Sequence, residues 1–180
     1  MRALVLASFL PFWVLVIYIL NKWPKNGKYS FSMHGAASRR SYIFYAPVVA
    51  YCGMSYFVFN VLWYIDNLKL GLVYTVCMYA ISFLQVLFAV VPDNPKKPSK
   101  LHRNAANLWG VLLMFTFIIT LFEAPLNSMQ MAIIIGTLTL MSVSGIKIIG
   151  ALEKHEHYLR FQLLGIATIH TGIILVTCLN

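Results

Sequence analysis

The sequence predicts an all-α integral membrane protein, a single domain over residues 1–180 built as a bundle of six transmembrane helices with short loops. Three observations carry this. Of the 180 residues, 60% are apolar and 11% are charged, less than half the ~25% charged share of a soluble domain. The apolar residues gather into six runs of about the length that crosses a bilayer, ~20 residues. The lysines and arginines stand beside these runs instead of along one continuous face.

The first span covers residues 4–20. A signal peptide is the competing reading. However, the apolar run is longer than a usual hydrophobic region, only Arg2 precedes it, and Asn21-Lys22-Trp23-Pro24-Lys25 stands where small residues should mark cleavage. It is read as a retained helix, in which Pro11 is tolerated if neighbouring helices satisfy the backbone. A polar loop follows to Ser41, and the second span, rich in Tyr and Phe, covers residues 42–65. Asp66-Asn67 makes a short turn before the third span, residues 70–91. The central loop contains Pro92, Pro95 and Pro98, which oppose helix. Span four covers 105–122, Glu123 to Asn127 turns the chain, span five covers 129–149 and span six covers 161–179.

Orientation follows from the flanking cations. Loops one, three and five hold Lys22, Lys25, Lys28, Arg39 and Arg40, then Lys96, Lys97, Lys100 and Arg103, then Lys147, Lys154 and Arg160; the other side holds Arg2 and Lys69. Twelve against two predicts that the odd-numbered loops are cytoplasmic and both termini extracytoplasmic. The same distribution disposes of nucleic acid as a partner: a net charge of +9 that flanks apolar spans serves topology and contact with anionic lipid headgroups. Membrane lipids are therefore the expected partners, and no feature specifies an oligomeric state. Cys52, Cys77 and Cys178 form no C-x-x-C pair and read as small apolar residues.

Chemistry-bearing residues fall mainly on the charged side. Asp93 ends span three, and His102 lies just before span four. A histidine near a helix start with a carboxylate close by suits a general base, whereas a structural reading has Asp93 cap a helix or pair with Lys96 or Arg103. Ser32, in the small-residue loop around His34, is the candidate nucleophile if histidine and aspartate come from other loops. Lys100, Arg103 and Asn104 are the candidate headgroup binders. His155 and His157 make an H-x-H pair that could ligate a metal, but only if a third ligand converges on it; no metal site is assigned. Within the spans, His170 cannot snorkel to the interface. Such a residue either lines a proton or substrate path or hydrogen-bonds across helices, to Asn60 or Ser142. Haem would need two facing membrane histidines, so no cofactor is expected.

Three short motifs carry a resemblance. They are the serine-containing first loop Tyr29-Ser-Phe-Ser-Met-His-Gly35, the Pro92-Asp93 element closing span three, and a Leu-His-x-x-x-Ala opening of span four at Leu101, His102 and Ala106. In these the chain resembles the DUF998 family of six-span membrane proteins and the wider Frag1-DRAM-Sfk1 group. The resemblance implies a six-helix bundle, a role in lipid remodelling or lipid organisation, and Asp93 and His102 as site positions, with Ser32 third. The basic central loop and the lack of a plain Ser-Glu after the first span depart from the pattern. Three functions thus stand open: binding or modifying a lipid at the cytoplasmic interface, small-molecule or proton-coupled transport along His170, Asn60 and Gln85, and a non-catalytic membrane scaffold.

Overall fold

A computed structural model describes residues 2–22, 29–93, 99–154 and 158–179, with backbone alone at 2, 4 and 150–154. The elements are α1 (Arg2–Lys22), α2 (Phe31–Gly35), α3 (Arg39–Phe59), a π-helical turn (Asn60–Tyr64), α4 (Ile65–Leu68), α5 (Leu72–Val90), α6 (Lys100–Glu123), α7 (Ser128–Lys154) and α8 (Tyr158–Cys178). Among the described residues, six helices are long and apolar enough to cross a bilayer, with Arg39–Leu68 counting as one of them. Their outer faces agree: Phe122 is 82% exposed, Leu72 77% and Phe83 67%, side chains whose exposure in such numbers marks a surface not meant for water.

Helix ends depart from the apolar runs where a polar residue can cap them. Ser38 and Ser99 accept hydrogen bonds from the amides of Ser41 and His102, so α3 and α6 start three and five residues before the predicted spans. Such caps satisfy amides that have no partner inside the helix. Asp66 and Asn67 do not turn the chain; they stay helical, and the reversal waits for Lys69, the residue with φ 52°. The first loop, expected to be polar coil, contains α2, capped by Ser30. At the start of α7, Asn127 and Gln130 cap one another reciprocally, each side-chain oxygen accepting from the other's amide at 2.9–3.0 Å, the geometry of a capping box.

Neighbouring helices trace a closed circuit: α1 packs on α3, α3 on α5, α5 on α6, α6 on α7, α7 on α8, and α8 returns to α1. The short α2 lies against α1, α3 and α8. Two apolar clusters fill the interior. One, around Phe12, Ile19, Phe31, Tyr45 and Ala89, lies toward the end where α1 and α5 finish. The larger, around Phe59, Tyr74, Met78, Leu113 and Ile173, fills the rest. Bulk hydrophobicity does not hold helices together in lipid, so small residues and buried hydrogen bonds matter more. Gly172 and Gly165 of α8 sit on Thr137 and Ser144 of α7. Gln85 of α5 bridges two neighbours, donating to the Val49 carbonyl at 3.1 Å and accepting from the Trp109 indole at 3.0 Å. Gln85→Leu breaks both bonds at once and should lower the melting temperature of the detergent-solubilised protein, at about 0.6 kcal/mol per bond in membrane helices; an unchanged melting temperature would remove Gln85 from the stability argument.

Candidate functional site

Three contacts gather loops one, three and five at one end. The Tyr42 hydroxyl donates to the Val90 carbonyl at 2.6 Å, the Phe31 amide donates to Gln162 Oε1 at 2.7 Å, and His102 Nδ1 meets the Val91 carbonyl at 2.7 Å. At the opposite end the Gly71 amide donates to Glu123 Oε2 at 2.8 Å. By sequence, the segments of the first end carry twelve cations and the carboxylates of Asp93, Glu153 and Glu156. Those of the other carry Arg2, Lys69, Asp66 and Glu123, so the net charge of +9 belongs to one end.

Asp93 and His102 lie within this basic end, 2% and 3% exposed. They are joined through Ser99 and not to each other. The Ser99 amide donates to Asp93 Oδ1 at 3.0 Å, and Ser99 Oγ accepts from the His102 amide at 3.2 Å. A carbonyl only accepts, so the His102–Val91 contact places an imidazole proton on Nδ1; in the tautomer that this selects, Nε2 is the acceptor. The ring stands edge-on to Phe88 at 5.7 Å. Tyr45 and Tyr158 lie within electrostatic range of Asp93, and Tyr158 also of Arg103. A buried carboxylate is costly unless hydrogen-bonded or paired; among the described residues Asp93 accepts from the Ser99 amide, Arg103 is exposed, and the foreseen partner Lys96 lies outside the described residues.

Lys100, Arg103 and Asn104 are all exposed. Their spacing of three and four residues puts them on one face of the first turns of α6, opposite the inward-facing His102. Ser32 is buried in α2 with its hydroxyl 2.8 Å from that of Ser30, and His34 Nδ1 lies 2.9 Å from the Ser30 carbonyl. No hydrogen bond joins Ser32 to His102 or Asp93, so a serine–histidine–aspartate relay is not assembled in this conformation. His155 and His157 lie outside the described residues.

The intramembrane candidates separate as well. His170 bonds neither Asn60 nor Ser142; its Nδ1 accepts the Trp13 indole N–H at 3.1 Å, and its ring stacks on Phe9 at 3.9 Å. It ties α8 to α1. Asn60 instead accepts from the Tyr74 hydroxyl at 2.8 Å, and Ser142 bonds the Leu138 carbonyl of its own helix. A polar residue inside an apolar run signals that a partner exists, but the sequence does not say which distant helix supplies it. His170→Phe should therefore lower stability by loosening α1 from α8, by about 1 kcal/mol, and Trp13→Phe added to it should cost little more; strict additivity in melting experiments would contradict the bond.

Comparison with known proteins finds no matching family model, no matching curated protein and no matching solved structure.

Proposed function

We propose that this chain is a multi-pass membrane protein that binds an anionic lipid headgroup at its basic end, with that end in the cytoplasm. The observation that carries the reading is the segregation of charge: by sequence, the segments that connect at one end of a six-helix bundle with apolar sides carry the net +9. Lys100, Arg103 and Asn104 form the binding face, and the loop braced by Asp93, Ser99 and His102 holds the start of α6 at the depth of the headgroups. This agrees with the lipid role that the resemblance to DUF998 proteins implies. A chemical step on the lipid would draw on His102 Nε2 as the acceptor.

Native mass spectrometry of the purified protein with phosphatidylglycerol or phosphatidylcholine tests the reading. Phosphatidylglycerol should bind preferentially, and Lys100→Gln and Arg103→Gln should each weaken it about fivefold, the factor for one cation near an anionic surface. Equal binding of both lipids would overturn the proposal. For the chemical step, lipid profiles of cells expressing wild type or His102→Ala at matched levels should differ in one lipid class; identical profiles leave binding alone. For orientation, a reporter fused after Asn180 should score external, and a cytoplasmic signal would reverse the topology.

A further inference from the structure

A shallow, open and almost wholly apolar groove of about 370 Å³ lies on the outer face of α1, lined by Val14, Ile17, Tyr18, Asn21 and Lys22. Its apolar part, Val14 and Ile17, is 59% and 62% exposed, and its polar part lies at the basic end. Tyr18 meets Phe44 of α3 edge-on, ring centroids 5.4 Å apart, so the groove borders the α1–α3 seam. One helical turn beyond each ring, toward the basic end, stands a cation: Lys22 four residues after Tyr18, and Arg40 four residues before Phe44. Residues four apart share a helix face. Because α1 runs toward the basic end and α3 away from it, the two exposed cations flank the same aromatic pair from the same side.

We infer that this groove holds a phospholipid with an anionic headgroup, its phosphate between Lys22 and Arg40 with Asn21 as a further donor, and one acyl chain along Ile17 and Val14. The chemistry is complementary at each level. The long cationic side chains reach headgroup depth while their stems cover apolar surface, Tyr18 sits where an aromatic with a polar tip is favoured, and the branched aliphatics meet the chain. The site is separate from the face of Lys100, Arg103 and Asn104. It rests on the reading that the basic end lies in a leaflet containing anionic lipid.

Photo-crosslinking of the full chain in nanodiscs tests it, using phosphatidylglycerol or phosphatidylcholine with a diazirine on the acyl chain and mapping labelled peptides by mass spectrometry. Phosphatidylglycerol should label the peptide containing residues 14–22 about 25-fold more than phosphatidylcholine, about fivefold for each of the two cations. Lys22→Gln or Arg40→Gln should each abolish most of that preference, while Lys69→Gln, at the opposite end, leaves it unchanged. If phosphatidylglycerol is preferred at the start of α6 but both lipids label residues 14–22 equally, the groove site falls and the headgroup reading stands. No preference anywhere overturns both. Absence of label there, with α1 cross-linked to α1 of another molecule, assigns the groove to a second copy and overturns the lipid site.

Discussion

Gly172→Leu is expected to separate α7 from α8 and to cause a large loss of stability. A Cβ at this position would lie 2.5 Å from Thr137 Oγ1 and 2.9 Å from its Cγ2, distances that real Cβ atoms do not occupy. Thr137 cannot swing aside. It is 5% exposed, β-branched and thus stiff at χ1, and its hydroxyl is committed to the Ile133 carbonyl at 2.8 Å. The helices must therefore move apart, and the Gly165–Ser144 approach, two turns along the same seam, is lost with them. Overpacking of this kind costs about 1–3 kcal/mol, which thermal unfolding in detergent would register as a lower melting temperature. Gly136→Leu, one residue from Thr137 on the same helix, is the control. Nothing lies within 4 Å of its Cβ position, and leucine is the better helix former, so stability should hold or rise. Combining Gly172→Ala with Thr137→Ala removes both close approaches and should recover most of the loss. Equal effects at 172 and 136 would show that the α7–α8 seam is not packed on Gly172.

What the sequence made legible is the part of the fold that one-dimensional patterning controls. Six apolar runs and their flanking cations gave six helices and sorted the loops to two ends. Helix ends were less legible, because an interfacial turn tolerates polar residues: Lys100, Arg103 and Asn104 belong to α6 although they break the apolar run, and Asp66 and Asn67 continue the second long helix although they read as a turn. The candidate site was legible in position but not in wiring. Asp93 and His102 do lie together at the basic end, yet the partner of His102 is the Val91 carbonyl, a backbone group that every residue possesses and no pattern marks. Partners 157 and 131 residues away, Trp13 for His170 and Gln162 for the Phe31 amide, were beyond reach for the same reason: identity of a residue states that a hydrogen bond is needed, not where the fold will bring its other half. The contact of Tyr18 with Phe44, which brings the start of α3 back beside the end of α1, likewise exists only in the packed bundle.

The hydrogen bond between Asn60 and Tyr74 should carry the second large effect, and it should do so cooperatively. Asn60 opens the π-helical turn that interrupts the helix over residues 39–68. Such turns widen the backbone and are often placed where a side chain has a specific task. Here the residue is 0% exposed, its Oδ1 accepts from the Tyr74 hydroxyl at 2.8 Å, and its Nδ2 donates to the Tyr56 carbonyl at 2.9 Å. Tyr74 is itself 1% exposed and has no water to turn to. Asn60→Leu takes the amide acceptor from the phenol and leaves it the Tyr56 side chain as its remaining partner, at a cost of about 1 kcal/mol for the lost hydrogen bond. Tyr74→Phe strands only one lone pair of an amide that keeps its other bond, and should cost less. The double replacement removes both partners, so its cost should fall well below the sum of the two, a coupling that thermal or denaturant unfolding of the four proteins measures directly. Simple addition would mean that the two side chains are neighbours without a shared bond. Coupling would make this pair the link that fastens α5 to the π turn, deep in the larger cluster and away from the basic end.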